Sequence, residues 1–104
     1  MTKPENHIAG EETGDVRLDV WMWRARFYKT RRLCAETISS KGVRISRSGQ
    51  VRRVTKPATS VKVGDIVTFG KSMHIRSVEV LAIGLRRGPA SEAARLYQDR
   101  TEER

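Results

Sequence analysis

Residues 17–46, RLDVWMWRARFYKTRRLCAETISSKGVRIS, end one helical stripe, begin another and then switch to a period of two. Leu18, Trp21, Met22 and Ala25 follow the i, i+3, i+4, i+7 spacing of a helix starting at Arg17, with Asp15 as its expected N-cap. Lys29 and Thr30 interrupt that stripe, and Thr30 can cap a second helix. There Leu33, Cys34, Thr37 and Ile38 share one side, while Arg32 and Glu36 can pair at i, i+4 on the other. Gly42 stands where a left-handed C-cap is expected. Past it, Val43 and Ile45 point inward and Arg44 and Ser46 outward, as in a half-buried strand.

Outward from this stretch, RSGQ (47–50) reads as a turn and SVKVGDIVTF (60–69) as two strand-like runs around Gly64-Asp65. HIRSVEVLAI (74–83) gives another strand after a turn at Gly70–Ser72. SEAARLYQD (91–99) reads as a short helix capped by Ser91, with Pro89 just ahead. Helices followed by strands, without a βαβ rhythm, predict an α+β fold. Its expected form is an N-terminal two-helix hairpin packed on a small antiparallel β-sheet, with a short C-terminal helix. A chain of 104 residues suits a single domain, placed here at 16–98. Residues 1–15, acidic and without periodicity, are expected to form a disordered tail, and 99–104 a frayed one.

The net charge of +9 is concentrated. Residues 1–16 carry −3, residues 17–57 carry +10 and residues 58–104 carry +2. So strong a local field favours a polyanion, because each neutralised phosphate releases condensed counterions. No apolar run approaches the roughly 18 residues of a membrane span. The N-terminus has no apolar stretch behind a basic start, so neither a signal peptide nor a membrane partner is expected. The single cysteine, Cys34, rules out an internal disulfide and fits a reducing cytoplasm.

At 100° per residue, Arg17 and Arg24 flank one edge of the first stripe and Arg26 the other, which makes all three candidates for phosphate contact. Trp23 and Phe27 fall on the far side; they could stack bases, but packing against the sheet or the last helix is the favoured reading. Lys29, Thr30, Arg31 and Arg32 open the second helix. Basic residues in a first turn oppose the macrodipole by a few tenths of a kcal/mol each, unless an anion is held there with the free amides. Arg86 and Arg87, ahead of the last helix, form a second and weaker candidate phosphate site. His7, His74 and Cys34 lack metal-ligand spacing, and RRGPAS (86–91) is no P-loop. Asp19 reads as a salt-bridge anchor and Asp65 as a turn residue. Neither an enzyme activity, a metal, a cofactor nor a small-molecule substrate is expected.

The series Arg17-Leu18-Asp19, a helical hairpin, Gly42 leading into Val43 and Ile45, Lys56-Pro57 and Gly64-Asp65 resembles the S4-type RNA-binding domain. RLDVWMWRARFYKTR (17–31) together with RRGPASEAARLY (86–97) resembles, more narrowly, the ribosome-associated 15-kilodalton heat-shock protein family. The likeness covers residues 17–97. It implies RNA binding through the hairpin and the following strand, with contacts at Arg17, Arg26, Lys29, Thr30, Arg31, Arg32, Lys41, Arg44 and Lys56. The implied target is ribosomal RNA of a free large subunit still holding a nascent chain on its tRNA after heat stress. Two features depart from that pattern. Ser46 or Ser48 replaces the Asn of an Asn-Gly turn in an apparently longer loop, and the long basic extension often found after the domain is not seen before Arg104. Transfer RNA and DNA are alternative partners. A DNA-binding helix-turn-helix is disfavoured because the second helix displays mainly Arg31, Arg32 and Glu36 for a major groove. S4-type domains also occur on pseudouridine synthases, but this chain has no room for that catalytic domain.

Overall fold

The computed structural model describes residues 14–101. In chain order it contains β1 (Asp15–Arg17), α1 (Leu18–Arg24), α2 (Arg31–Lys41), β2 (Val43–Arg47), β3 (Gln50–Val54), β4 (Ser60–Lys62), β5 (Ile66–Lys71), β6 (His74–Val80), α3 (Ala90–Ala93) and β7 (Tyr97–Asp99). A five-stranded antiparallel sheet has the order β3-β2-β5-β6-β7, and β1 and β4 form a separate ribbon. The fold is α+β. Of the tail expected at 1–15, all but Gly14 and Asp15 lies outside the described residues.

Asp15 does not cap α1, because it belongs to β1, which pairs Val16 with Val61 of β4. The helix entrance is closed by backbone instead. Leu18 N donates to Thr59 O at 2.8 Å and Asp19 N to Pro57 O at 3.2 Å. Asp19 is buried; its Oδ1 accepts the Val20 amide at 2.8 Å and its carboxylate takes the Arg17 guanidinium at 3.0 and 2.9 Å.

Helix α1 ends after two turns in a Schellman motif. Phe27 N donates to Met22 O and Arg26 N to Trp23 O, with Arg26 at φ 65°, where glycine is usual. This reversal decides the fate of Phe27. On a continued helix it would lie opposite the core stripe; here it turns inward to pack on Phe69 and Tyr97, at 5.0 and 4.7 Å between ring centroids. Thr30 caps α2 as expected, its Oγ1 accepting from Leu33 N at 3.0 Å, and Arg32 pairs with Glu36 at 3.1 Å. Gly42 has a positive φ of 81°, yet its ψ of 162° sends the chain straight into β2 rather than through a left-handed cap.

One face of the sheet, with Val43, Ile45, Val67, Phe69, Val78 and Val80, packs against Leu18, Trp21, Met22, Phe27, Cys34 and Ile38. Each such side chain contributes about 1.5–3 kcal/mol by leaving water. Trp21 also donates Nε1–H to Ala82 O at 3.0 Å, which ties α1 to the chain after β6.

Two further strands and the last helix depart from the sequence reading. Ser48 and Gly49, at φ 54° and 81°, make a tight two-residue loop, so the chain returns at once as β3 rather than through a longer loop. The C-terminal helix is only four residues long, with Pro89 rather than Ser91 at its N-cap, and a 3₁₀ turn at Ala94–Leu96 follows. Leu96 O accepts the amides of Leu81 and Ala82, which draws Tyr97–Asp99 into the sheet beside β6. Beyond β7, Arg100 N donates to Ser77 O at 2.7 Å, and Ser77 N to Thr101 Oγ1 at 3.0 Å. Residues 102–104 lie outside the described range.

Candidate nucleic-acid interface

Around α1 the basic side chains are held by the protein itself. Arg17 forks onto the buried Asp19 carboxylate, an interaction that raises its pKa, and its side chain stays 51% exposed. Arg24 donates Nη1–H to Ile83 O at 3.2 Å and Gly84 O at 2.7 Å; burial, reinforced by the nearby Arg31 charge, lowers its pKa. Arg26 donates from Nε to Gly88 O at 2.6 Å. The two members of the expected second phosphate site point to different partners. Arg86 pairs with Glu92 through contacts at 3.1 and 2.7 Å, which hold that carboxyl below its ordinary range. Arg87 donates to Trp23 O and Tyr28 O, and its guanidinium lies 5.8 Å from the Trp23 ring centroid. Trp23 is thereby half-buried against an arginine.

The other candidates sit at the two ends of α2 and beside the entrance of α1. Lys29, Arg31 and Arg32 are exposed at the start of α2, where the Thr30 hydroxyl is engaged as the cap. Lys41 closes α2, and Arg44 follows on β2 with its side chain on the outer sheet face. Lys56 lies in the loop whose Pro57 and Thr59 carbonyls accept the first amides of α1. Lys29, Arg26 and Arg87 are brought together with Tyr28, Leu33 and Lys71 around an open cleft of about 580 Å³. In it Lys71 Nζ stands 5.5 Å from the Tyr28 ring centroid.

Sequence reasoning missed three cations of this surface: Arg52 and Arg53 on β3, and Lys71 on β5. The overlooked signal is Ser48-Gly49 read as a two-residue hairpin loop, which makes Gln50–Val54 a strand and sets Arg53 directly opposite Arg44.

Carboxylates hold six arginines, and backbone carbonyls hold Arg24, Arg26 and Arg87. Asp19, Glu36, Asp65, Glu79, Glu92 and Asp99 each hold one arginine, which are Arg17, Arg32, Arg47, Arg100, Arg86 and Arg76 in turn. Asp65 is therefore more than a turn residue: it is buried, accepts the Lys62 amide, and forks onto Arg47 at 2.8 and 2.7 Å. Lys29, Arg31, Lys41, Arg44, Arg52, Arg53 and Lys56 have no carboxylate partner among the described residues. Like charges directly opposite on neighbouring strands, as at Arg44 and Arg53, destabilise a sheet, and a bound anion removes that penalty.

No group of His, Cys, Asp or Glu among the described residues could hold a metal ion. The Cys34 thiol is fully buried, and burial pushes its pKa up to about 11, which makes it a core residue rather than a nucleophile. No helix among the described residues is long and apolar enough to cross a membrane.

Comparison with known proteins adds three findings. The family model of the S4 domain matches residues 16–67. Heat shock protein 15 of Escherichia coli (strain K12) is 43% identical over 88 residues, which is 85% of this chain and 62% of that protein; the homolog from Aeromonas salmonicida is 37% identical over 89 residues, covering 86% and 64%. The chain thus spans slightly less than two thirds of the length of these relatives. A solved structure described as trimeric Vibrio cholerae heat shock protein 15 superposes with a TM-score of 0.70 at 35% identity, covering 82% of this chain and 81% of that one. The hairpin, its Thr30 cap and the strand after Gly42 all lie inside the matched segment, and with it the chain belongs to the S4-type RNA-binding domain family.

Proposed function

We propose that the protein binds structured RNA through the ends of α2 and the adjoining strand, and that its target is ribosomal RNA of the free large subunit carrying a nascent chain after heat stress. The single observation that carries the RNA reading is that Lys29, Arg31, Lys41, Arg44, Arg52, Arg53 and Lys56, on α2, β2, β3 and the adjoining loops, have neither a carboxylate partner among the described residues nor, Lys41–Arg53 apart, a place in fastening the fold. The similarity to heat shock protein 15 supports the heat-stress setting, and the resemblance of residues 17–31 and 86–97 to the ribosome-associated family supports the ribosomal target. Recognition then rests on phosphate positions and the shape of an A-form backbone rather than on a long base sequence.

The test is co-sedimentation with dissociated ribosomal subunits at two salt concentrations, for the wild type and for a Lys29→Ala, Arg31→Ala, Arg32→Ala triple variant. Selective, salt-sensitive association with the large subunit is expected. The triple variant should lower the salt slope by about one per lost phosphate contact, with little change in folding stability. An unchanged slope would remove the hairpin from the contact surface. Equal binding to both subunits and to duplex DNA would reduce the protein to a general polyanion binder.

A further inference from the structure

The sheet face turned away from the helices carries a feature that the helical hairpin does not use. Register sets Arg53 opposite Arg44, Arg44 opposite Thr68, and Thr68 opposite Ser77, so four side chains form one row across β3, β2, β5 and β6. The Thr68 and Ser77 hydroxyls share a hydrogen bond at 2.8 Å, so the row runs from two guanidinium groups to a hydroxyl pair. Two residues along the strands the side chains disappear. The same register brings Gly42 beside Gly70, and Gly70 lies opposite Ile75. Between Gly42, which the Arg53 guanidinium covers, and the bare Gly70 lies a depression of about 220 Å³ bordered by Lys41, Arg44, Arg53, Thr68 and Ile75.

Its walls are complementary to one kind of ligand. Lys41, Arg44 and Arg53 supply positive charge without a carboxylate among the described residues. Arg53 is also held in place: Nη2 donates to Lys41 O at 3.3 Å, and a Cβ on Gly42 would come within 2.9 Å of that nitrogen. Opposite the cations, Ile75 is 68% exposed beside the bare backbone of Gly70, an apolar floor open to solvent.

We propose that this depression holds one unpaired nucleotide of a bound RNA strand, its phosphate among Lys41, Arg44 and Arg53 and its base laid over Gly70 and Ile75. The inference rests on the RNA-binding reading and deepens it: Lys41, Arg44 and Arg53 are among its cations, and the outer sheet face turns them to a single-stranded contact. A base within a duplex has both faces stacked and cannot reach this floor, whereas an unpaired base can. A free nucleotide presents the same phosphate and base, so the test must separate the two sources.

The test uses the Gly70→Val variant. A Cβ at Gly70 meets only His74 O, at 3.8 Å, and the backbone there is not in the left-handed region, so the substitution fills the depression without straining the strand. Binding is measured for a single-stranded oligouridylate, a blunt RNA duplex and uridine monophosphate, with circular dichroism as the check on folding. Single-strand affinity should fall about tenfold in Gly70→Val while duplex affinity stays unchanged. Arg44→Gln with Arg53→Gln should lower the single-strand salt slope by about 0.7 per arginine. The hairpin triple variant should show the reverse pattern and lose the duplex first. Unchanged single-strand affinity in a folded Gly70→Val protein would overturn the pocket while leaving the RNA reading intact. Displacement of the strand by an equal concentration of uridine monophosphate would overturn it in favour of a free-nucleotide site. A wild type that binds neither strand nor duplex would instead overturn the RNA reading, and the pocket with it.

Discussion

Where α1 meets the segment from Ala82 to Leu96, arginine side chains end on protein acceptors: Arg24 on two carbonyls, Arg26 on one, Arg87 on two, and Arg86 on Glu92. At the ends of α2 and along β3, Lys29, Arg31, Lys41, Arg44, Arg52 and Arg53 meet no carboxylate among the described residues. The same residue type thus does opposite work in adjoining regions. In the first, guanidinium groups tie down an irregular segment through charge-assisted hydrogen bonds to backbone carbonyls, at the cost of desolvating Arg24. In the second, the fold tolerates repulsion such as that between Arg44 and Arg53, and only an external anion relieves it. On the proposed RNA-binding reading, fold and interface part along that line.

The contrast predicts that stability and binding respond to different residues. Trp21→Ala empties the centre of the core and removes the hydrogen bond to Ala82 O, at a cost of about 3–5 kcal/mol by chemical denaturation. The RNA salt slope of whatever fraction stays folded should not change. A loss below about 1 kcal/mol would break the core assignment.

Next in size is an alkaline effect on the inner side of α2, the helix whose outer end carries the free cations. Burial raises the Cys34 thiol to about 11 when folded, above the ~8.5 of an unfolded cysteine. The stability contributed by the neutral thiol is therefore full below about pH 8.5 and is lost as pH rises through 11, amounting to about 3 kcal/mol. Denaturation midpoints across that window should fall more steeply for the wild type than for Cys34→Ala. Parallel curves would show that Cys34 ionises in the folded protein as readily as in the unfolded chain.

Arg24→Met keeps the apolar stem but leaves Ile83 O and Gly84 O without their donor, and should cost about 2 kcal/mol. Its RNA salt slope should match that of the wild type. A slope lower by about one would move Arg24 into the interface and erase the boundary drawn above.

That boundary explains how much was legible beforehand. The hairpin and β2 could be read because their signals are local: the stripe from Leu18, the Thr30 cap, and the alternation after Gly42. β1 and β7 are three residues long, and their partners, β4 and β6, are distant enough that no local pattern marks them. β3 is hidden differently, since Gln50 to Arg53 are all exposed and show no alternation of polarity. The clustering of charge was visible, but the split within it was not. Arg24, Arg26 and Arg87 find their acceptors about sixty residues away, and only the folded path of residues 83–88 brings donors and carbonyls together.

Arg26 tests the boundary most finely, because it touches both sides. It lines the cleft with Lys29 and Lys71, yet its Nε is bound to Gly88 O. Its backbone sits at φ 65°, a conformation glycine adopts about 1 kcal/mol more easily. Arg26→Gly should relieve that strain and lose one hydrogen bond of similar size, leaving stability within about 0.5 kcal/mol of the wild type. Arg26→Ala loses the bond and keeps the strain, so it should fall about 1 kcal/mol below Arg26→Gly in thermal or chemical denaturation. Equal stability of the two would show that the Schellman turn relaxes around a side chain. If both variants also keep the wild-type RNA salt slope, Arg26 belongs with Arg24 and Arg87 as a fastening of the fold. A slope lower by about one in both would place it with Lys29 on the phosphate-binding side.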